Sequence, residues 1–422
     1  MNSRGYRYVF WLVLPLLATP LQAAPDELIL GKDQGYPLGT SSTWYRNPHR
    51  VGSWSALDRV PGILTRSVQR APVMRPLQRS NEPVQIEYRF RGDTFNLSDY
   101  LERQRTTGLL VLKNGEIVAE HYGYDRAPGA RFISFSMAKS VTSLLVGVAH
   151  ARGAISSLDD VAEKYAPALV GSAYGKTSLR HLLRMSSGLT FTERYDGKDD
   201  IARLSSAYSG VAGSGKPIDV LRSIAERHSP AGERFVYAGA ETDILGRVLV
   251  AATGRSLAEL TREWLWHPMG AEHDAFWRIG VDRHEQAYSS FSASLRDWGR
   301  LGLLLANDGR LPGPGDPTQV VPRDYLLEAT DPALQPPYLR PRQATPYLGY
   351  GYQFWILPMR ERTFAMLGIH GQAVYVQPSS GLVMVVTSVW ENASGRSDPQ
   401  PPEERDALWR GVLRSLGGSP AE

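Results

Sequence analysis

The stretch Phe135-Ser-Met-Ala-Lys-Ser-Val-Thr-Ser-Leu-Leu-Val-Gly-Val-Ala-His150 decides the fold and most of the chemistry. Beyond its polar first turn it is apolar on nearly every face, the pattern of a helix buried in a large protein. Ser134 stands where an N-cap would, and Gly153 where a helix stop would. Ser136 then falls in the first turn, where orphan N–H groups and the helix dipole favour developing negative charge. Lys139 projects from the same face one turn later. Burying its amine strips hydration, disfavours the ammonium form and allows it to act as a base at neutral pH. A hydroxyl beside such an amine is a nucleophile that needs no histidine. A Lys in an apolar helix is costly unless paired or functional; the bare pattern is weak evidence by itself, and with the motifs that follow along the chain it points to catalysis.

The rest of the chain sets bounds. Its 422 residues are enough for a large core and one or two domains. The net charge of +4 falls to +2 once Arg4 and Arg7, in the expected leader, are set aside. A nucleic-acid partner therefore has little support. With no cysteine there can be no disulfide, thiolate metal site or lipid-anchored Cys. Nine histidines show no tight ligand spacing, so neither metal nor cofactor is expected. Residues 1–23 read as a signal peptide: Arg4 and Arg7, an apolar run Val9–Ala18, a break at Pro20 and a Leu-Gln-Ala23 cleavage site. That run is about half the length of a membrane helix. A periplasmic or secreted protein without stable membrane insertion is expected.

Residues 24–88, rich in Pro, Arg and Ser, read as an irregular extension wrapping the main body. Gly108–Tyr122 reads as a hairpin, with Asn114-Gly115 as a type I′ turn. Residues 155–280 are mostly helical in pattern with long loops. Thr363–Ile369, Ala373–Gln377 and Leu382–Trp390 read as strands, with Pro378-Ser-Ser-Gly381 turning between the last two, and Glu403–Leu416 as an amphipathic closing helix. Strands at both ends with helices between imply an α+β fold. An antiparallel sheet domain, 89–154 plus 281–418, would be flanked by helices and interrupted by the helical domain 155–280, with a cleft between them.

Ser136-Met-Ala-Lys139 resembles the S-x-x-K nucleophile motif of the serine β-lactamase and penicillin-binding-protein superfamily. The likeness continues, in order, through Leu158-Asp-Asp-Val-Ala-Glu-Lys-Tyr-Ala-Pro167, Thr177-Ser-Leu-Arg-His-Leu-Leu-Arg-Met-Ser-Ser-Gly188, Phe235-Val-Tyr-Ala-Gly-Ala-Glu-Thr-Asp-Ile-Leu-Gly246 and His370-Gly-Gln372. It spans roughly Thr106 to Trp390 and is nearest in look to class C-like esterases and 6-aminohexanoate-oligomer hydrolases. The resemblance implies the β-lactamase/transpeptidase-like fold and a serine hydrolase that acylates Ser136. The substrate would be a small or short oligomeric amide or ester. Lys139 and Tyr237 would move the proton, either being able to take it first. A Tyr beside two cationic groups is expected to ionise more readily.

The resemblance also implies an oxyanion hole made by the backbone N–H groups of Ser136 and Ala373. His370, Gly371 and Gln372, in place of Lys-Thr-Gly, would bind substrate without the lysine that holds a penicillin-like carboxylate. Gly239 stands where Tyr-x-Asn places its asparagine and cannot supply that amide, which argues against efficient β-lactam hydrolysis. Tyr195, in the loop Phe191-Thr-Glu-Arg-Tyr195, is read either as lining the cleft or as a surface aromatic. Glu241 and Asp243 are read as helix caps, Asp297 as structural, and Lys176-Thr-Ser178 as the start of a helix. Two other functions stay open: a D,D-peptidase or β-lactamase acting on cell-wall-like substrates, and a β-lactamase-fold binding protein that turns over weakly.

Overall fold

The computed structural model describes residues 27–82, 84–311, 318–339 and 347–421. The expected leader, 1–23, lies outside them, as does part of the loop Pro336–Tyr350. The architecture rests on two antiparallel sheets. The chain supplies strands β1 (Thr65–Val68), β2 (Glu87–Phe90), β3 (Asp93–Asn96), β4 (Thr106–Lys113), β5 (Glu116–Tyr122) and β6 (Arg131–Ile133) before the nucleophile. After it come β7 (Ala275–Arg278), β8 (Phe291–Ser294), β9 (Gly349–Tyr350), β10 (Trp355–Ile356), β11 (Phe364–Gly368), β12 (Gln372–Gln377) and β13 (Leu382–Ser388). The large sheet runs β5-β4-β13-β12-β11-β10-β9 and the small one β1-β7-β8-β6, while β2 and β3 form a separate ribbon. This is the β-lactamase/transpeptidase-like arrangement, its main sheet assembled from both ends of the chain.

Alternation along the strands builds two cores, one on each face of the sheet. Leu109, Val111, Ala373, Tyr375, Met384 and Val386 face one way and pack against Leu408, Trp409, Val412 and Leu413 of the closing helix. Leu110, Leu112, Val374, Val376, Val383 and Val385 face the other way, toward the helices that carry the site. Four helices frame the sheet and the site: α1 (Met137–Ala151), α2 (Gly239–Thr253), α3 (Leu295–Ala306) and α4, the closing helix (Gln400–Ser415). Every α1 residue from Met137 to Ala149 is buried, as its all-round apolar sequence requires. The β4–β5 hairpin turns on Asn114 at φ 50° and Gly115 at φ 88°, the paired left-handed geometry of a type I′ turn.

Three local expectations need correction. Ser136, not Ser134, occupies the N-cap of α1, and its side chain makes no capping bond; the Ser134 hydroxyl donates instead to the Phe135 carbonyl. Residues 24–88 are only partly irregular, because β1 pairs with β7 in full register from Thr65↔Arg278 to Val68↔Ala275. The mostly helical stretch 155–280 accordingly ends in a sheet strand. No helix among the described residues is long and apolar enough to cross a membrane.

Candidate active site

Strand β6 delivers the chain into the site, and Phe135 turns it into α1 at φ 43°. A bulky residue at positive φ is strained and persists only where its surroundings over-determine it. The surroundings here are aromatic: the Phe135 ring lies 4.9 Å from Trp54, 6.0 Å from Tyr45 and 5.7 Å from His370. The turn presents Ser136 at the head of α1, half-buried and facing a cleft. One turn on, Lys139 is 1 % exposed. Its Nζ donates to Ser136 Oγ at 2.9 Å and to the Tyr288 carbonyl at 3.1 Å.

The amine also has a charged partner. The carboxylate of Glu193 lies 3.7 Å from Lys139 Nζ, both side chains being almost fully buried. Glu193 is the site residue that sequence reasoning passed over, although it sits two positions before Tyr195. Its Oε1 accepts from the Tyr195 hydroxyl at 2.8 Å and its Oε2 from the backbone N–H of Gly239 at 2.6 Å. Tyr195 therefore lines the cleft, held by an acid that also faces Lys139.

Tyr237, just before α2, lies beneath Lys139, with Nζ 4.9 Å from its ring centroid. Burial raises its pKa; the Lys139 charge and the side chains of Ser136 and Lys139 pull the other way without overcoming it. The phenol therefore rests protonated at neutral pH, against the expectation of a readily ionised Tyr. It can donate a proton to a leaving group. Lys139 Nζ lies 2.9 Å from Ser136 Oγ, within reach of its proton.

The third motif differs most from expectation. His370 turns away from the cleft: its Nδ1 donates to the Trp390 carbonyl at 2.8 Å and its Nε2 accepts from the Tyr45 hydroxyl. Burial pushes its pKa down to about 3, so it is a neutral packing group with both nitrogens spent. A Cβ on Gly371 would come within 2.6 Å of the Trp390 ring, so this glycine serves close packing rather than substrate approach. The Gln372 amide donates to the carbonyls of His370 at 3.0 Å and Ser388 at 2.8 Å and is buried. Ala373 sits inside the ladder, opposite Leu367 on one side and Val386 on the other, and does not reach the cleft.

The strand beside Ser136 is β11, whose Gly368 lines the cleft with Ser136 and the next residue, Ile369. A Cβ on Gly368 would stand 2.3 Å from the Ser134 carbonyl, so glycine permits this close approach. Among the described residues the N–H groups of Ser136 and Ile369 have no protein acceptor. These two donors are the ones available to a developing oxyanion.

The cleft has a volume of about 710 Å³. Tyr195, Phe235, Tyr237, Trp355 and Trp390 give it aromatic walls, and Arg396, Arg405 and Arg410 stand among its lining residues. None of these three guanidinium groups forms an ion pair within 4.0 Å among the described residues. The described residues hold no cluster of side chains able to bind a metal ion.

Neither acid at the start of α2 acts as a cap. Asp243 accepts from Tyr208 and Arg247. Glu241, 1 % exposed, accepts from the Ser187 hydroxyl at 2.6 Å. Burial pushes its carboxyl up to about 8. The folded state then keeps a proton that the unfolded chain loses above its ordinary value of 4.5. Stability therefore falls as pH rises from that value to about 8, by roughly 1.4 kcal/mol per pH unit at most. Glu241→Gln is expected to remove this component. Its stability relative to the parent, from denaturant melts at pH 5 and pH 8, should be higher at pH 8; equal differences would refute the assignment.

Asp297 accepts from the N–H groups of Glu272 and His273 and from Arg300, a fixed structural role. Ser178, in Lys176-Thr-Ser178, caps the short helix Leu179–Leu183 by accepting from the His181 N–H.

Comparison with known proteins agrees with this geometry. The beta-lactamase family model matches residues 96–407. A 6-aminohexanoate-dimer hydrolase of Paenarthrobacter ureafaciens is 26% identical over 360 residues, covering 85% of this chain and 90% of that protein. A structure named as a 6-aminohexanoate-dimer hydrolase candidate from Bacillus anthracis superposes with a TM-score of 0.77 at 23% identity, over 89% of this chain and 95% of that one. An octameric penicillin-binding protein homologue from Pyrococcus abyssi shares the fold at a TM-score of 0.54 and 18% identity, over 76% of each chain. With a Ser–Lys pair at hydrogen-bond distance and a family match over most of its length, the chain belongs to the beta-lactamase family and is a serine hydrolase built on that fold.

Proposed function

We propose that the protein hydrolyses a linear amide or small ester, of the kind exemplified by a 6-aminohexanoate oligomer, through an acyl-enzyme on Ser136. It would act in the periplasm or outside the cell. The observation that carries the chemistry is Lys139 Nζ at 2.9 Å from Ser136 Oγ, at the floor of an aromatic cleft. Lys139 takes the Ser136 proton as Oγ attacks the carbonyl carbon. The oxyanion is held by the N–H groups of Ser136 and Ile369. Tyr237 donates a proton to the departing nitrogen or oxygen, and water reverses the sequence to free the acid. The aromatic walls suit a flexible aliphatic chain, and Arg396 at the cleft's edge suits a carboxylate at its end, while the buried Arg405 is held by the Tyr375 hydroxyl. The third motif brings no lysine to the cleft, and 239 carries no amide. Both features weigh against a penicillin-like substrate.

The test is intact-mass labelling with a fluorophosphonate, with turnover assayed on p-nitrophenyl acetate, nitrocefin, an aminohexanoate dimer and that dimer's methyl ester. One adduct mapped to Ser136, turnover of the dimer, and preference for the free acid over its ester are expected. Turnover of nitrocefin above the others would favour a β-lactamase or D,D-peptidase. A protein that takes up no label and turns over none of the four would be a binding protein on this fold.

A further inference from the structure

We infer that Glu193 is the positioning residue of the Ser136–Lys139 pair, reaching from its loop into space that exists because residue 239 is glycine. The inference rests on the Ser136 nucleophile proposed above and assigns a role to a side chain outside the Ser–Lys–Tyr set.

The geometry is specific. Glu193 Oε2 accepts from the Gly239 N–H at 2.6 Å, and a Cβ built on Gly239 would stand 3.1 Å from that same oxygen. The same Cβ would meet Ile201 Cδ1 at 2.9 Å and Tyr288 Cδ2 at 3.2 Å. The carboxylate thus crowds the point where a side chain at 239 would begin, and any larger residue there would have to push it aside. From there Oε1 lies 3.7 Å from Lys139 Nζ and is fixed by the Tyr195 hydroxyl at 2.8 Å. Burying one charge beside a nucleophile would be costly, whereas burying a hydrogen-bonded opposite pair is tolerated.

Lys139 is faced by Ser136, the Tyr288 carbonyl and the rings of Tyr237 and Tyr288. Glu193 is faced by Tyr195, Gly239 and Lys139, with Arg396 donating to its backbone carbonyl at 3.4 Å. Tyr174, Tyr350 and, beyond them, Glu241 complete the charged and titratable surroundings. Of all these side chains, Glu193 is the acid within 4.0 Å of the lysine among the described residues. Its carboxylate, 3.7 Å away, holds Nζ on the Ser136 side of the cleft.

The rate of fluorophosphonate labelling at Ser136, followed from pH 5 to 10, reads this role without knowledge of the substrate. In Glu193→Gln, which keeps the shape, loss of the negative charge 3.7 Å from Nζ should move the rising limb of the profile to lower pH by about 1–3 units. A rate loss with an unmoved limb is what a merely structural loop would show, and it would overturn the inference. Glu193→Ala and Gly239→Asn should each slow labelling by about 10- to 100-fold. Combined, they should label at least about 10-fold faster than Glu193→Ala alone, because the amide enters the vacated space and meets the lysine. Losses that multiply in the double variant would overturn the exchange, and thermal melts of each variant separate misfolding from lost chemistry. A parent protein that takes no label on Ser136 would instead refute the nucleophile itself.

Discussion

Ser136→Ala should lower kcat/KM on any substrate the protein hydrolyses by roughly four to six orders of magnitude. The fold should not suffer. Although Ser136 occupies the N-cap, its side chain makes no capping bond, so the substitution removes the nucleophile without removing a helix contact. Lys139→Ala should cost about as much, and the double variant little more than either alone. A hydroxyl and an amine 2.9 Å apart act as one unit, and once either is gone the other has nothing to do. The residual rate would come from the two oxyanion donors and from binding. Steady-state kinetics on the preferred ester or amide, with fluorophosphonate mass labelling, check this. A Ser136→Ala protein retaining a tenth of the parent rate would place the nucleophile elsewhere, and additive losses would show that the two side chains act separately.

Trp54→Ala should cost about 3–5 kcal/mol of stability, a large effect for a residue outside the sheet domain. Trp54 is 3 % exposed. Its ring lies 4.9 Å from Phe135 and 4.9 Å from His370, with the Arg50 guanidinium 5.1 Å away on its ring. It wedges between the two backbone turns that aim the site: the left-handed Phe135 before the nucleophile and the left-handed His370, φ 58°, after Ile369. Emptying that space releases both turns. Labelling of Ser136 at 25 °C should therefore slow even where the variant remains folded, and Trp54→Phe should recover much of both losses. Melts beside labelling rates decide the matter. Lost stability with an unchanged labelling rate would reduce the extension to packing alone.

This role for the extension is hidden in its sequence. Residues 24–88 carry turn signals and weak periodicity, and nothing local marks Tyr45 or Trp54 as partners of a histidine more than 300 positions away; the Tyr45–His370 bond spans 325 residues. The nucleophile helix is legible because its evidence is local: one all-apolar helix, with a Ser and a Lys one turn apart. Tyr237 becomes legible only through its flanking phrase, since a lone Tyr among twenty has no signature of its own.

The third motif misleads for a physical reason. The turn between β11 and β12 has two ends, and sequence does not say which of them meets the cleft. Here the close approach of Gly368 to Ser134 selects the first end. His370, Gly371 and Gln372 are thereby sent into the interior, with Ala373 inside the ladder. Glu193 is invisible in the sequence because an acid in a loop ordinarily faces water. Its burial depends on the absent side chain at 239 and on a lysine more than fifty positions upstream, and no single motif displays both.

The sheet that backs the nucleophile helix governs how the molecule comes into being. Strand β13, near the end of the chain, inserts between β4 and β12, so that Thr107 and Thr387, 280 residues apart in sequence, share a hydrogen bond. A chain cut before Leu382 would still carry Ser136, Lys139 and Tyr237 and yet have no completed surface for α1 to rest on. Until the last strand arrives, β4 presents an unpaired apolar edge, an invitation to other chains. Loop closure over such a distance slows folding more than it weakens the folded state. Maturation should therefore be late and all at once: the protein acquires its reactivity only when strand β13 has been made.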